Sequence, residues 1–274
     1  ALKMSTELGQ PVVIDNRGGA SGSTASEMVA KSNPDGYTLL FGAMQTHAIN
    51  PALYDKLRYD PIKDFAPISL THINPRVLVV SSSLQINSVA ELVALAKKKA
   101  DSVSFGSAGN GSASHLAGVL FGNLTGADLL HVPYKGSGPA LTDLIGGQVQ
   151  YCFETMTSAT PHVKSGKAIA LAQTRTKRAK GHPNVPTMDE QGFAGFDATT
   201  WYGLVGPAKL NPAFIKRINE DMNKVMAMPD VIEKFDLYGA EDGGGSPERF
   251  AEFIRNETQK WAKVIKDAKV QADS

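Results

Sequence analysis

The chain has 274 residues, 42% hydrophobic and 20% charged, with a formal net charge of +1, enough for a sizeable core in one large domain or two ordinary ones. That charge balance offers no basic stripe for nucleic acid and no acidic tail, and no apolar run reaches the roughly 18 residues of a membrane span. Cys152 is the single cysteine, which excludes an intramolecular disulfide and a multi-cysteine zinc site; no metal and no cofactor is expected.

Residues 1–9 read as the last turns of a helix closed by a Gly stop, which places the natural beginning of the chain upstream. Pro11-Val12-Val13-Ile14-Asp15 reads as a short apolar strand. The loop 16–23 then leads into a helix through about Lys31. Its Arg17-Gly18-Gly19-Ala20-Ser21-Gly22-Ser23 lacks the Lys-Ser/Thr pair of a nucleotide loop and is taken as a Gly-rich turn. Asn33-Pro34-Asp35-Gly36 turns the chain into the strand Tyr37 to Phe41, and this strand-helix-strand alternation predicts a parallel sheet covered by helices. The segment after that strand contains Thr46 and His47, both able to donate to an anion where open α/β sheets hold their ligands.

Residues 60–68 form a loop with buried anchors, and Val77 to Val80 a strand. Ser88-Val89-Ala90-Glu91 is a capping box for a helix through about Lys99. Lys97-Lys98-Lys99 and the basic run 175–180 read as a solvated helix end and a surface loop. After the strand Val103 to Phe105 comes the small-residue loop Gly106-Ser107-Ala108-Gly109-Asn110-Gly111-Ser112-Ala113-Ser114-His115. It enters a helix with Leu116, Val119, Leu120 and Leu124 at helical spacing and a stop at Gly126. Ser112 or Ser114 is the N-cap, and unpartnered first-turn N–H groups make this a site for an anion, most simply a carboxylate.

A strand through Tyr134 follows, then a helix starting at Lys135-Gly136-Ser137-Gly138-Pro139 and ending at Gly146-Gly147. The strand Val149 to Phe153 ends in Glu154-Thr155, with Thr160-Pro161 opening the next helix. Polar or small groups thus end three strands in equivalent topological places, at Ser107, Tyr134 and Glu154, and imply a shared crevice. After the strands at 168–172 and 201–207, Asn211-Pro212 starts an amphipathic helix. Ser246-Pro247-Glu248 starts the last one, in which Phe250, Ile254, Trp261, Val264 and Ile265 keep the 3.6 period.

The succession Asn33-Pro34-Asp35-Gly36-Tyr37, His47-Ala48-Ile49-Asn50-Pro51, Lys63-Asp64-Phe65-Ala66-Pro67, Ser107-Ala108-Gly109-Asn110-Gly111-Ser112 and His131-Val132-Pro133-Tyr134-Lys135-Gly136 resembles the Bug family. These are extracytoplasmic solute receptors related to the binding proteins of tripartite tricarboxylate transporters. The likeness continues through Trp201-Tyr202-Gly203-Leu204 and the closing helix. It implies an α/β, type II periplasmic-binding-protein fold: lobe 1 from residues 1–84 and 200–274, lobe 2 from 85–199, two crossing segments, and a central ligand cleft.

The resemblance further implies a small carboxylate gripped by loops, with backbone N–H groups and waters more than charged side chains. The residues it carries over are Ser107, Ala108, Asn110, Gly111, Ser112 and His115 from one loop, Tyr134, Lys135 and Gly136 from the next, and Glu154 and Thr155 from the third strand end. Thr46 and His47 would face them from the other lobe. Two departures stand out. The family's first strand and Gly-rich loop precede the start of this sequence, so part of the pocket is expected to be missing. Glu154 also stands where the family pattern has Asp, and the longer side chain either shrinks the pocket, favours a ligand with an amino or hydroxyl group, or turns to solvent.

The expected function is therefore a periplasmic solute-binding protein, monomeric, that captures an organic anion by hinge closure and passes it to the membrane permease of such a transporter. No chemistry is needed, and no catalytic residue is assigned. The rival readings are a serine-type hydrolase using Ser112 or Ser107 with His115 and Glu154, or a ligand sensor that reports to a signalling partner. The hydrolase is disfavoured because no Gly-x-Ser-x-Gly elbow presents a nucleophile, and Asp143, a possible second acid, falls mid-helix in a solvated position.

Overall fold

The computed structural model describes residues 1–17, 20–98 and 103–271. The chain divides into two compact units: residues 1–73 with 201–235 and 241–266, and residues 74–200 with 236–240 and those from 267 onward. Gly18 and Gly19 of the Gly-rich turn, and Lys99 at the expected helix end, lie outside the described residues.

The first unit opens with α1 (Leu2–Leu8), closed by Gly9 in the left-handed region at φ 68°. Pro11 to Asp15 is not a strand. It runs exposed, with Val13 at 85% and Ile14 at 67% exposure, because no described strand lies beside it to complete a ladder. Next come α2 (Ser23–Ala30), β1 (Leu40–Ala43), a five-residue π-turn (Gln45–Ile49), α3 (Asn50–Leu53) and β2 (Phe65–Asn74).

The chain then enters the second unit through β3 (Arg76–Ser81), α4 (Val89–Lys98), β4 (Ser104–Ser107), α5 (Ala113–Thr125), β5 (Leu130–Pro133), α6 (Ser137–Ile145), β6 (Tyr151–Thr155), α7 (Met156–Lys164) and β7 (Ala168–Gln173). It returns through β8 (Thr200–Pro207) and α8 (Pro212–Met226), and ends with α9 (Pro229–Tyr238), β9 (Glu241–Asp242) and α10 (Pro247–Asp267).

The sheet of the first unit has the order β1-β8-β2-β9. β1 pairs with β8, and β2 with β9, antiparallel, where the sequence led us to expect a parallel sheet. The neighbour of β1 is a strand from far along the chain, so the local strand-helix-strand rhythm did not decide its pairing. Below this sheet α1 and α8 pack together: Met4, Ile68, Leu210, Ile218 and Val225 form a core that Leu8, Leu39, Leu204 and Met222 extend. Phe214 is turned outward at 43% exposure.

The five-stranded sheet of the second unit has the order β5-β4-β6-β3-β7. β5 and β6 flank β4 in parallel, whereas β3 runs antiparallel to β6 and β7. Residues 76–81 therefore belong with the second unit rather than with lobe 1, because their ladder partners are there. From β4 the chain steps to one side through α5, then crosses back over β4 through α6 to reach β6. The strand order thus reverses at β4, and such a reversal opens a crevice at the strands' carboxyl ends.

Side chains alternate across the sheet. On one face Phe105 stacks on Tyr151, and Tyr151 and Phe153 meet Phe121 of α5; Val77, Cys152, Ala140, Leu144 and Met156 form the core on the other. Helix α7 starts at Met156, capped by the Thr155 hydroxyl that accepts from Ser158 N–H at 3.2 Å. Pro161 sits inside this helix rather than opening it.

Candidate functional site

The expected loops meet at the reversal of the strand order, at the carboxyl ends of the parallel strands. Ser107 at the end of β4 pairs in register with Pro133 of β5, and Gly106 with Cys152 of β6. The parallel ladder therefore brings the ends at Ser107, Tyr134 and Glu154 to one rim of one sheet.

The loop after β4 is built on two glycines in the left-handed half of conformational space, Gly109 at φ 122° and Gly111 at φ 68°, which a side chain would strain. It delivers the chain to α5, whose N-cap is Ser112: the hydroxyl accepts from His115 N–H at 3.2 Å. Helix α5 can approach β4 closely because Gly118 lies against the Phe105 ring, leaving no room for a Cβ.

The loop satisfies its own backbone. Ala108 N–H donates to Ser114 Oγ at 2.9 Å, Gly109 N–H to Ser107 Oγ at 3.1 Å and Gly111 N–H to His115 Nδ1 at 3.0 Å. Ser112 N–H reaches Gly109 O at 3.2 Å, and Leu116 N–H reaches Ser112 O at 3.0 Å. The resemblance implied that backbone N–H groups of this loop grip the ligand, but those of Ala108, Gly109, Gly111 and Ser112 are engaged. The donors with no acceptor shown among the described residues are the N–H groups of Ala113 and Ser114 in the first turn of α5. They sit at the positive end of the helix dipole, beside the Ser112 hydroxyl. Asn110 lies at the loop tip.

Just past β5, Tyr134 N–H donates to Ser107 O at 3.0 Å and ties the two loops together. The Tyr134 hydroxyl donates to Asp143 Oδ2 at 2.8 Å. Burial and that carboxylate push its pKa up to about 12. Asp143 is thus a partner of Tyr134 rather than a solvated helix residue. Lys135 is exposed, and Gly136, at φ 110°, is the N-cap of α6.

Glu154 is fully buried, and among the described residues neither carboxylate oxygen has a hydrogen-bond partner. Burial pushes its carboxyl above the usual range, against the opposing pull of the Ser137 hydroxyl, the Arg76 charge and the Thr155 backbone. By alternation Glu154 faces α6, whereas Ser107 faces α5, so it is not a third member of any Ser-His group on the loop. The hydroxyl-imidazole contact of this loop is between Ser107 and His131, at 2.6 Å. Ser107 is fully buried, hence poorly placed to attack a substrate. Sequence reasoning missed His131; its signal was the alternation along β5, which sets His131 on the face opposite Tyr134.

Thr46 and His47 lie in the first unit. Both are buried, and Thr46 Oγ1 lies 2.9 Å from His47 Nδ1. The His47 ring packs on Phe65 at 4.9 Å and Trp201 at 6.5 Å. Burial, only partly offset by the Ala43 backbone, drives its pKa down to about 4. A cavity of about 340 Å³ in the same unit is lined by Ser23, Thr24, Glu27, Tyr54, Lys56, Leu57 and Arg58, none of them an expected site residue.

Residues 1–270 match the family model described as tripartite tricarboxylate transporter family receptor. The chain belongs to this receptor family. Its members are periplasmic solute-binding proteins, not enzymes. BugT of Bordetella pertussis is 36% identical over 268 residues, 97% of this chain and 82% of BugT. An R. palustris protein solved with adipate superposes with a TM-score of 0.88 at 34% identity, covering 99% of this chain and 91% of its own. MatC from Rhodopseudomonas palustris, solved with bound malate, gives 0.82 at 32% identity, covering 96% of this chain and 90% of MatC. The receptor thus has the α/β solute-binding fold of its family, and no helix among the described residues is long and apolar enough to cross a membrane.

Proposed function

We propose that this receptor captures a small organic anion through its carboxylate and hands it to the permease of a tripartite tricarboxylate-type transporter in the periplasm. The observation that carries this reading is the meeting of three strand ends at the β4 reversal, with the Ala113 and Ser114 N–H groups and the Ser112 hydroxyl at that rim. The two N–H groups are donors of the right polarity for a carboxylate, with the Ser112 hydroxyl 3.1 Å from Ser114 Oγ beside them and no fixed cation on the loop itself. The adipate and malate bound by two relatives make dicarboxylates the first ligands to test.

Capture proceeds by hinge closure, and the residues of the second unit offered to the ligand are Asn110, Ser112, Lys135 and Gly136. The closed form gains contacts that the open form lacks, and this differential affinity shifts the population.

A thermal-shift screen of mono-, di- and tricarboxylates and amino acids tests the proposal. A ligand at about a hundred times its Kd stabilises by ~2.7 kcal/mol, a rise of several degrees. No shift with any anion in a folded chain would refute it.

A further inference from the structure

The Ser107–His131 contact joins the ligand loop to a stack of rings that anion capture by itself does not require. The His131 ring lies 3.8 Å from that of His115, with planes 7° apart. Phe105 stacks on His131 at 4.8 Å and on His115 at 6.3 Å. The two imidazoles hold opposite ends of one loop: His131 reaches Ser107 at its start, and His115 Nδ1 takes the Gly111 N–H before the helix begins. Between them, Gly109 N–H rests on the same Ser107 Oγ.

The hydrogen-bond roles are fixed at one end and adaptable at the other. His115 Nδ1 accepts, so that ring carries its proton on Nε2. Ser107 Oγ accepts from Gly109 N–H and has one proton of its own to give, toward His131 Nε2 or toward Gly109 O at 3.2 Å. Either rotor keeps the Ser107–His131 bond, with Ser107 donating in one case and the imidazole donating in the other. β5 is an edge strand whose residues are exposed or half-buried, so His131 contributes little to the core. What it fixes is the loop.

We propose that His131 is a positioning residue for ligand capture. Through Ser107 and through its stack on His115, it holds residues 107–112 in the one shape that leaves the Ala113 and Ser114 N–H groups and the Ser112 hydroxyl aligned for a carboxylate. The proposal rests on the carboxylate reading.

The test uses the full chain and its His131→Phe, His131→Gln, Ser107→Ala and His131→Phe/Ser107→Ala variants. Adipate affinity is measured by calorimetry, and amide hydrogen exchange at Gly109 and Gly111 without ligand. Phe keeps the stacked ring but loses Nε2. We expect it to weaken adipate about tenfold, the loss of roughly one hydrogen bond's worth of preorganisation, and to speed exchange at both glycines. Ser107→Ala should weaken binding at least as much, because it also removes the acceptor of Gly109 N–H, and the double variant should be no weaker than Ser107→Ala, because the His131 contact is already lost there. His131→Gln, which keeps a hydrogen-bonding group, should recover part of the affinity. A wild-type chain that binds no carboxylate would overturn the underlying reading and the proposal with it. Wild-type binding, with His131→Phe equal to it in affinity and in glycine exchange, would overturn the proposal alone.

Discussion

Trp201 donates its indole N–H to Glu257 Oε2 over 3.0 Å, joining β8 to α10 in the first unit. The same oxygen accepts from Trp261 Nε1 at 3.1 Å, and Oε1 pairs with Lys260. One buried carboxylate therefore satisfies both tryptophans of the chain. Glu257→Leu leaves two buried donors without an acceptor and should destabilise by about 3 kcal/mol, Glu257→Gln by less. Urea unfolding followed by tryptophan fluorescence measures both, since each indole reports on this contact.

His47 makes the first unit sensitive to acid. Its pKa lies near 4 when folded against 6.5 as the ordinary value, so the unfolded chain binds the proton first as pH falls. The stability it contributes is complete above pH 6.5 and is lost between 6.5 and 4, about 3 kcal/mol over that window. His47→Leu should flatten this part of the stability-pH curve. Parallel curves for the two proteins between pH 4 and 7 would show that His47 is not the group responsible.

Glu154 acts in the opposite sense. Its carboxyl is raised above the ordinary 4.5 by burial, so the folded state holds the proton more tightly than the unfolded one. The stability gained is fully present below pH 4.5 and is lost as pH rises through the folded value. Glu154→Gln, which imitates the protonated acid, should match wild type at pH 4 and exceed it at pH 7 to 8. Thermal melts at the two pH values check this, and a variant less stable than wild type at pH 8 would contradict it.

Ser112 and Gly118 position the first turn of α5. Ser112→Ala removes the cap on His115 N–H and should cost ~1 kcal/mol of stability. Gly118→Ala forces a methyl group into the Phe105 ring, pushes α5 off β4 and should cost about 1–3 kcal/mol. Chemical denaturation measures each. Of the two, Ser112→Ala should weaken carboxylate binding more than its effect on stability accounts for, because the proposal makes the hydroxyl a donor to the ligand as well.

Most of the second unit was legible in the sequence. The β4, β5 and β6 ends, the Ser112 cap and the Gly126 stop all follow from local pattern, and the parallel ladder then brings Ser107, Tyr134 and Glu154 together. What was not legible depends on partners distant along the chain. The antiparallel pairing of β1 with β8 joins residues 40–43 to 202–205, which no local rhythm encodes. Pro11 to Asp15 has the composition of a strand but no described neighbour to pair with. Thr155 was read as a loop donor, yet its hydroxyl caps α7 and starts that helix before Pro161. The engagement of Gly109 and Gly111 N–H by Ser107 and His115 could not be foreseen either, because hydrogen-bond direction within a Gly-rich loop depends on φ angles that the sequence permits but does not choose.

The central claim is recognition of a carboxylate, and calorimetric titration of the wild-type chain with adipate and with its uncharged isostere adipamide tests it most directly. The account predicts saturable one-site binding of adipate and a loss of at least a hundredfold, about 2.8 kcal/mol, for the diamide. Equal binding of the two, or binding of neither by a folded chain, would contradict it.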